Sequence, residues 1–490
     1  MKRLLLILGL AFGLISTIVL FNAVNLRPRA VDVPAATAFK IDSVAASERL
    51  AGALRFQTVS RENEEEMDGQ PFLGLHAYFE QQFPRLHAAL NRETVSQYSL
   101  LYTWPGSDTR LAPVLLLAHL DVVPPETQGV SVWTHAPFSG DVVDGFVWGR
   151  GALDDKSAAM AQMEAVEMLL AEGFQPKRTL YLAYGHDEEV GGADGAARIS
   201  DMLEHLGVSP GLVLDEGGTI VKGSISGLDI PVALVGVAEK GYLSLLLTAE
   251  GQGGHSSMPP PNTTVGVIAH AVAKLEDNPM PARITPSVRE LFEHIGPRMS
   301  LARRLLFGNL WLSRPLIEYM MTKNPPTDAS LRTTTAATMF SGSPQQNVLP
   351  AKAAAVVNFR ILPGDTRKSV LAHATKVIGD SRVSISPLSF SSEPSAESPS
   401  SGEAYELLDT TIRQTMGGDD LEVSPYLVVT ATDSRYYARL SPRIYRFQPQ
   451  RLAPEDIARI HGTNERISVK NYTEMIHFYY QLLRNVNEVH

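Results

Sequence analysis

What most constrains this chain is a recurring pattern of short apolar runs, each ending in a turn that carries carboxylates or histidine. The clearest case is Leu180 to Gly192, LYLAYGHDEEVGG. An unbroken apolar and aromatic run predicts a buried strand, and it delivers Asp187, Glu188 and Glu189 into a turn. Adjacent glutamates repel each other and add nothing to a core. One reading is a solvated acidic turn. The other is a pair of carboxylates aimed in different directions, one to bind a divalent metal and one to take a proton from water.

The pattern repeats upstream and downstream. Pro113 to Leu120, PVLLLAHL, leads to His119 and Asp121. Two-residue spacing at a strand end places both side chains on one side. A ligating imidazole needs a carboxylate on its other nitrogen, which Asp121 could supply; a core histidine satisfied by a neighbour would look the same. Trp148 to Ser157, WGRGALDDKS, places Asp154 and Asp155 after Gly149 and Gly151 and before a helix expected over 157–170. These acids either cap that helix or include a carboxylate shared by two metals. The short strand at 211–214 ends in Asp215-Glu216-Gly217-Gly218. Strands alternating with helices of about 14 residues predict an α/β fold, in which ligands bind at the carboxyl ends of strands. A single metal site accounts for four such turns more simply than four accidents.

Composition narrows the chemistry. There is no cysteine, so any transition metal must be held by His, Asp and Glu. A formal net charge of −10 argues against a general nucleic-acid binder. At 490 residues the chain exceeds one ordinary core.

Lys2 and Arg3 precede the apolar run LLLILGLAFGLISTIVLF, Leu4 to Phe21. It is near the minimum length for a membrane span and long for the core of a signal peptide. Ala36-Thr37-Ala38 has cleavage-site chemistry but lies far from the run. The expectation is therefore an N-terminal anchor over 1–24 with the body outside the cytoplasm, the alternative being secretion after cleavage. Arg27 and Arg29 beyond the run leave the charge rule undecided.

Residues 25–40 read as a tether and 41–231 as the first part of a catalytic domain. From about Pro231 the texture becomes antiparallel, with strands at 232–237, 243–249, 353–362 and 383–390 and helices at 263–275 and 366–378. This predicts an inserted α+β domain over 232–392. The catalytic domain resumes over 393–490 with helices at 404–415 and 472–486 around His461. Within the insertion, Met299 to Lys323, MSLARRLLFGNLWLSRPLIEYMMTK, reads either as a packed helical pair broken near Pro315 or as an amphipathic surface for a membrane or an apolar substrate.

The motifs LLLAHLDVVP, WGRGALDDKS, GHDEEVGG, LVLDEGG, GGHSSMPP and HGTNERI follow one another between residues 115 and 467. In that order they resemble the di-zinc metallopeptidase family M20, the aminoacylase and carboxypeptidase family. Arg332 to Phe340, RTTTAATMF, and the apolar insertion are similar to the branch containing Gly-X carboxypeptidase and N-fatty-acyl-amino-acid synthase/hydrolase. The resemblance implies an α/β zinc-peptidase catalytic domain, a mixed sheet flanked by helices, with an inserted α+β lid or dimerisation domain. It implies two zinc ions per subunit, one held by His119, Asp154 and Asp215 and the other by Asp154, Glu189 and His461. A cis peptide is implied between Asp154 and Asp155. Glu188 matches the general base and Asp121 the partner that orients His119. His255 matches a lid histidine that reaches a neighbouring subunit's site in dimeric members. Asn347 and Arg360 match substrate contacts, the arginine on a free carboxylate. The implied activity is amide hydrolysis of a small peptide or N-acyl amino acid, with fatty-acyl amino acids at a membrane surface as the alternative. A non-catalytic metal scaffold and a di-metal phosphoesterase are the competing classes.

Overall fold

The computed structural model describes residues 1–490 except 30, 32, 64–65, 126–132, 418–419 and 489–490. The chain divides into two units. One comprises Pro28–Val237, Ser398–Tyr426 and Thr432–His490, and the other Met1–Arg27, Ala238–Glu397 and Leu427–Ala431. Residues 30 and 32 of the expected tether lie outside the described residues.

The first unit is built on a mixed sheet with ten strands among the described residues. At its centre Val114–His119 pairs in parallel with Leu180–Gly185 on one side and Leu212–Asp215 on the other. Ile444–Arg446 extends the parallel set beyond Leu212–Asp215. Antiparallel strands Ser99–Trp104 and Asn91–Val95 finish the near edge. Every residue of Val114–His119 is buried, as a parallel strand covered on both faces requires. Side-chain alternation sends Leu116 and Ala118 to a large core that includes Met160, Val166, Tyr472 and Tyr479 from helices Lys156–Ala171 and Val469–Glu488. Leu115 and Leu117 face the opposite core, with Ile199 and Leu203 of helix Ala196–His205. Sandwiching these strands leaves only their ends free to carry polar chemistry.

One boundary differs from the sequence expectation. Strand Val232–Glu239, expected to open the inserted domain, joins the large sheet beside Ile444–Arg446 and Ile220–Val221. Its continuous apolar run, VALVGVAE, suits a buried interior strand as well as a hairpin arm, and local pattern does not separate the two.

The second unit holds a four-stranded antiparallel sheet in the order Thr334–Ser341, Lys352–Ile361, Gly241–Glu250, Val383–Ser392. Helices Thr264–Asp277 and Arg367–Ile378 cover one face, burying Leu245, Ile268, Phe359 and Val370. Thr263 caps the first helix and a Thr366–Ser369 capping box starts the second. A helical segment follows, with Pro286–Ile295, Leu301–Phe307 and Leu310–Met321, and the N-terminal helix Lys2–Asn25 belongs to the same unit.

Candidate active site

The parallel register sets His119 level with Gly185, so the turns after both strands leave the same edge of the sheet. His119 is buried, and its Nδ1 lies 3.0 Å from the Asp121 carbonyl oxygen and 3.3 Å from Asp121 Oδ1. Asp121 does more than orient the ring. Its Oδ1 accepts the Glu188 backbone N–H (3.2 Å) and its Oδ2 accepts that of Glu189 (3.1 Å) and the Ser60 hydroxyl (2.6 Å). One carboxylate therefore sets both the imidazole and the turn with the glutamate pair. Downstream, the Gly191 carbonyl accepts from Arg435 and Tyr436. At Gly192, whose φ is +66°, a Cβ would fall 2.1 Å from Asp433 Oδ1, so only glycine fits.

Two groups of ligand-type atoms result, His119 with Asp154 and Glu216, and Asp154 with Glu189 and His461; within each the atoms lie within 4.8 Å of one another. Asp154 is common to both: His119 Nε2 is 2.9 Å from its Oδ1, and His461 Nε2 is 3.2 Å from its Oδ2. His461 Nε2 also lies 3.1 Å from Glu189 Oε2. The Asp154–Asp155 peptide bond is cis. The third member of the first group is Glu216, where the resemblance implied its neighbour Asp215. Asp215 is turned away, its Oδ2 accepting the Ser434 N–H at 2.7 Å, while Glu216 Oε1 stands 3.6 Å from His119 Nε2.

A buried ion pair ties the two ligand loops together. Glu465 Oε1 accepts the N–H groups of Gly151, Leu153 and Asp154 at 3.0, 2.8 and 3.3 Å. Its Oε2 takes Arg150 Nη1 at 2.6 Å, and Arg150 Nη2 donates to the carbonyls of His461 (3.1 Å) and Gly462 (3.0 Å). His461 is thereby held in a left-handed backbone conformation, φ +59°, which non-glycine residues seldom adopt.

The electrostatics fit a divalent cation. Burial pushes the carboxyls of Glu188 and Glu216 well above the usual range. Hydrogen bonds to Asp154 and Glu189 hold His461 up at about 10. Burial opposes charge on His119, but its bonds to Asp121 and Asp154 outweigh it and the ring stands well above its ordinary value. Glu189 Oε1 is buried with no hydrogen-bond partner among the described residues. Crowded carboxylates, each poorly solvated, with one orphaned oxygen among them, match the oxygen and nitrogen donors that a zinc-type ion takes. Glu188 belongs to neither ligand group.

The remaining expected site residues lie in the second unit. His255 is exposed on the short strand Gly254–His255, paired with Val348–Leu349, and the Asn347 carbonyl accepts the neighbouring Ser256 N–H at 3.2 Å. Arg360 lies on strand Lys352–Ile361, its guanidinium 4.7 Å from the Tyr242 ring centre. Sequence reasoning did not single out Glu216, Glu465, Arg150 or Ser60. Glu216 was visible as the second acid of LDEGG, and Arg150 and Glu465 stand inside WGRG and HGTNERI. Ser60 carries no local signal.

Two carboxylate–imidazole groups sharing one aspartate, with His119, Glu189 and Glu216 at the ends of parallel strands, define a metal-dependent hydrolase. The chain belongs to peptidase family M20/M25/M40, whose model matches residues 115–485. It is 41% identical over 452 residues to probable carboxypeptidase S-like 2 of Dictyostelium discoideum, covering 91% of this chain and 86% of that protein. It is 40% identical over 451 residues to the mouse (Mus musculus) N-fatty-acyl-amino acid synthase/hydrolase PM20D1, covering 91% and 88%. Among solved structures, the M20 family metallo-carboxypeptidase Sso-CP2 from Sulfolobus solfataricus shares the fold with a TM-score of 0.67 at 17% identity, covering 92% of this chain and 100% of the other.

Proposed function

We propose that this enzyme hydrolyses the amide bond of N-acyl amino acids and small peptides that end in a free carboxylate, using two zinc ions. The observation that carries this reading is Asp154 shared between two ligand groups with Glu188 beside them but in neither. His119, Asp154 and Glu216 would hold one ion, and Asp154, Glu189 and His461 the other. When bound, zinc supplies a Lewis acid that polarises a carbonyl and lowers the pKa of water from 15.7 to about 7. Glu188 takes the proton of the attacking water and returns it to the departing nitrogen, a task suited to a carboxyl whose pKa burial has raised. Asp121 keeps Glu188 in place through its backbone N–H. Arg360 offers a forked donor to the substrate carboxylate, and His255 a donor to the oxyanion.

Glu188→Gln should lower kcat by about 10²–10⁴-fold with zinc content unchanged. Retained activity would sink the mechanism. Similarity to proteins named for carboxypeptidase and for N-fatty-acyl-amino acid activity supports an acyl group ranging from aminoacyl to long-chain. Comparing hydrolysis of a blocked Gly-Leu dipeptide with that of an N-oleoyl amino acid decides between them.

The helix Lys2–Asn25 is long and apolar enough to cross a membrane, and in this reading it anchors the chain with the catalytic unit outside the cytoplasm. A reporter enzyme active only outside the cytoplasm, fused to the C-terminus, should be active. The inserted unit would pair two copies through its exposed edge strand Thr334–Ser341, where Met339 and Phe340 are exposed. Light scattering that finds only monomer would remove the homodimer.

A further inference from the structure

The end of the N-terminal helix is fastened to the helical segment of its own unit. Asn22 Nδ2 donates to Asn309 Oδ1 at 3.0 Å, and Asn309 Nδ2 donates to the Val19 carbonyl at 3.0 Å. Arg304 Nη2 donates to the carbonyls of Val24 (3.1 Å) and Leu26 (3.0 Å). The backbones approach closely, since a Cβ on Gly308 would fall 3.4 Å from the Asn22 carbonyl. At 24 residues the helix is about 36 Å long. It therefore exceeds the ~30 Å hydrocarbon core by about one turn, and the fastened turn is the one at its C-terminal end. That turn lies at headgroup depth when the helix spans.

Trp311 begins at the same point. Its indole Nε1–H lies 3.4 Å from the Asn309 Oδ1 that also accepts from Asn22. From there helix Leu310–Met321 presents two faces. Ile317 is buried and Leu310 and Met321 are partly buried, packing with Val288 and Phe292. Trp311, Leu312, Leu316, Tyr319 and Met320 are 51–62% exposed. Helical spacing puts 312, 316, 319 and 320 on one stripe. From Leu301 to Lys323 the segment carries Arg303, Arg304, Arg314 and Lys323 against the single acid Glu318. An exposed apolar stripe edged by Trp, Tyr and cations has the composition of an interfacial helix.

We propose that this face, Trp311 to Met320, docks in the interface of an anionic lipid bilayer, beside the point where the N-terminal helix leaves it. This rests on the reading of Lys2–Asn25 as a span, and adds that the folded unit itself lies on the membrane rather than hanging from a tether. Arg304 is engaged by the N-terminal helix and Arg314 Nε pairs with Glu318 at 2.8 Å, so apolar burial would lead, with Arg303 and Lys323 each adding about 1 kcal/mol of attraction to anionic headgroups near the surface.

The chain contains four tryptophans, and Trp104, Trp133 and Trp148 are buried, leaving Trp311 as the one exposed reporter. The full chain would be reconstituted in phosphatidylcholine–phosphatidylserine vesicles, with and without bromine at shallow acyl positions. Bromination should quench tryptophan emission, and Trp311→Phe should remove most of that quenching. Leu316→Glu with Met320→Glu should reduce it without changing the thermal transition. Vesicle flotation reads the span separately. If the protein floats and quenching is the same with and without Trp311, the docking face is wrong and the anchor stands. If it does not float, the anchor reading fails as well. Trp311 shielded from acrylamide yet unquenched by brominated lipid, together with a doubled mass by light scattering, would assign the face to a second copy and overturn the lipid assignment.

Discussion

Asp215 and Glu216 are neighbours whose carboxylates meet different partners. Asp215 closes its strand and spends Oδ2 on the Ser434 N–H, joining the loop at 434 to the sheet. Glu216 reaches His119. Glu216→Gln should cut bound zinc from two ions to one per chain after dialysis, read by elemental analysis. Asp215→Asn should keep both ions and cost about 1 kcal/mol of stability through the weakened bond. Equal metal loss in the two variants would reverse the assignment. Glu465 acts on the backbone, accepting the N–H of Asp154 and, through Arg150, holding the carbonyl of His461. Glu465→Gln should weaken metal affinity by about 10–100-fold, measured by chelator competition, while Glu188-dependent turnover at saturating zinc recovers.

At the scale of elements, the site is a consequence of strand register. His119 ends one of three parallel strands paired side by side, and Glu188, Glu189 and Glu216 follow the other two; that pairing gathers them although His119 and Glu216 are 97 positions apart. In the other unit a lysine joins elements in a pH-sensitive way. Lys240 is buried, and its Nζ donates to the carbonyls of Ala329 and Arg332 at 2.9 and 2.8 Å. Burial, aided by Arg360, pushes its pKa down to about 7. The unfolded chain would bind that proton up to about pH 10.4. Between these values the unfolded state holds more protons, so this group's contribution to folding rises with pH. The stability difference between the native chain and Lys240→Met should shift in favour of the native chain by up to about 3 kcal/mol from pH 7 to pH 10. Urea unfolding at both pH values checks the sign.

For the whole molecule, the candidate metal groups fall in one unit and the helices proposed to meet a membrane in the other. Metal at 100 times its Kd should stabilise the unit that binds it by about 2.7 kcal/mol. Chelation should therefore speed amide exchange in strands Val114–His119 and Leu180–Gly185 while leaving Gly241–Glu250 and Lys352–Ile361 nearly unchanged. Uniform acceleration would mean that the two units unfold together.

Much of this was legible from residues in order. Unbroken apolar runs marked the central strands, because a parallel strand covered on both faces has no polar side to display. His119, the Asp154–Asp155 pair and the Glu188–Glu189 pair stood out because charged and imidazole groups at strand ends and glycine turns have no role in a core, while the role expected of His461 came from the family resemblance. Other features were decided only in three dimensions. Whether Asp215 or Glu216 faces His119 depends on which way the chain turns after the strand, and the Ser434 N–H, 219 residues away, captures the first of them. Strand Val232–Glu239 joins the large sheet because Ile444–Arg446 and Glu422–Val428 supply edges to pair with, and neither is nearby in sequence. The Arg150–Glu465 tie and the Asn22–Asn309 clamp are likewise partnerships across hundreds of residues. Local composition determines which groups must be buried or solvated, and only closure of the tertiary structure determines whom each one meets.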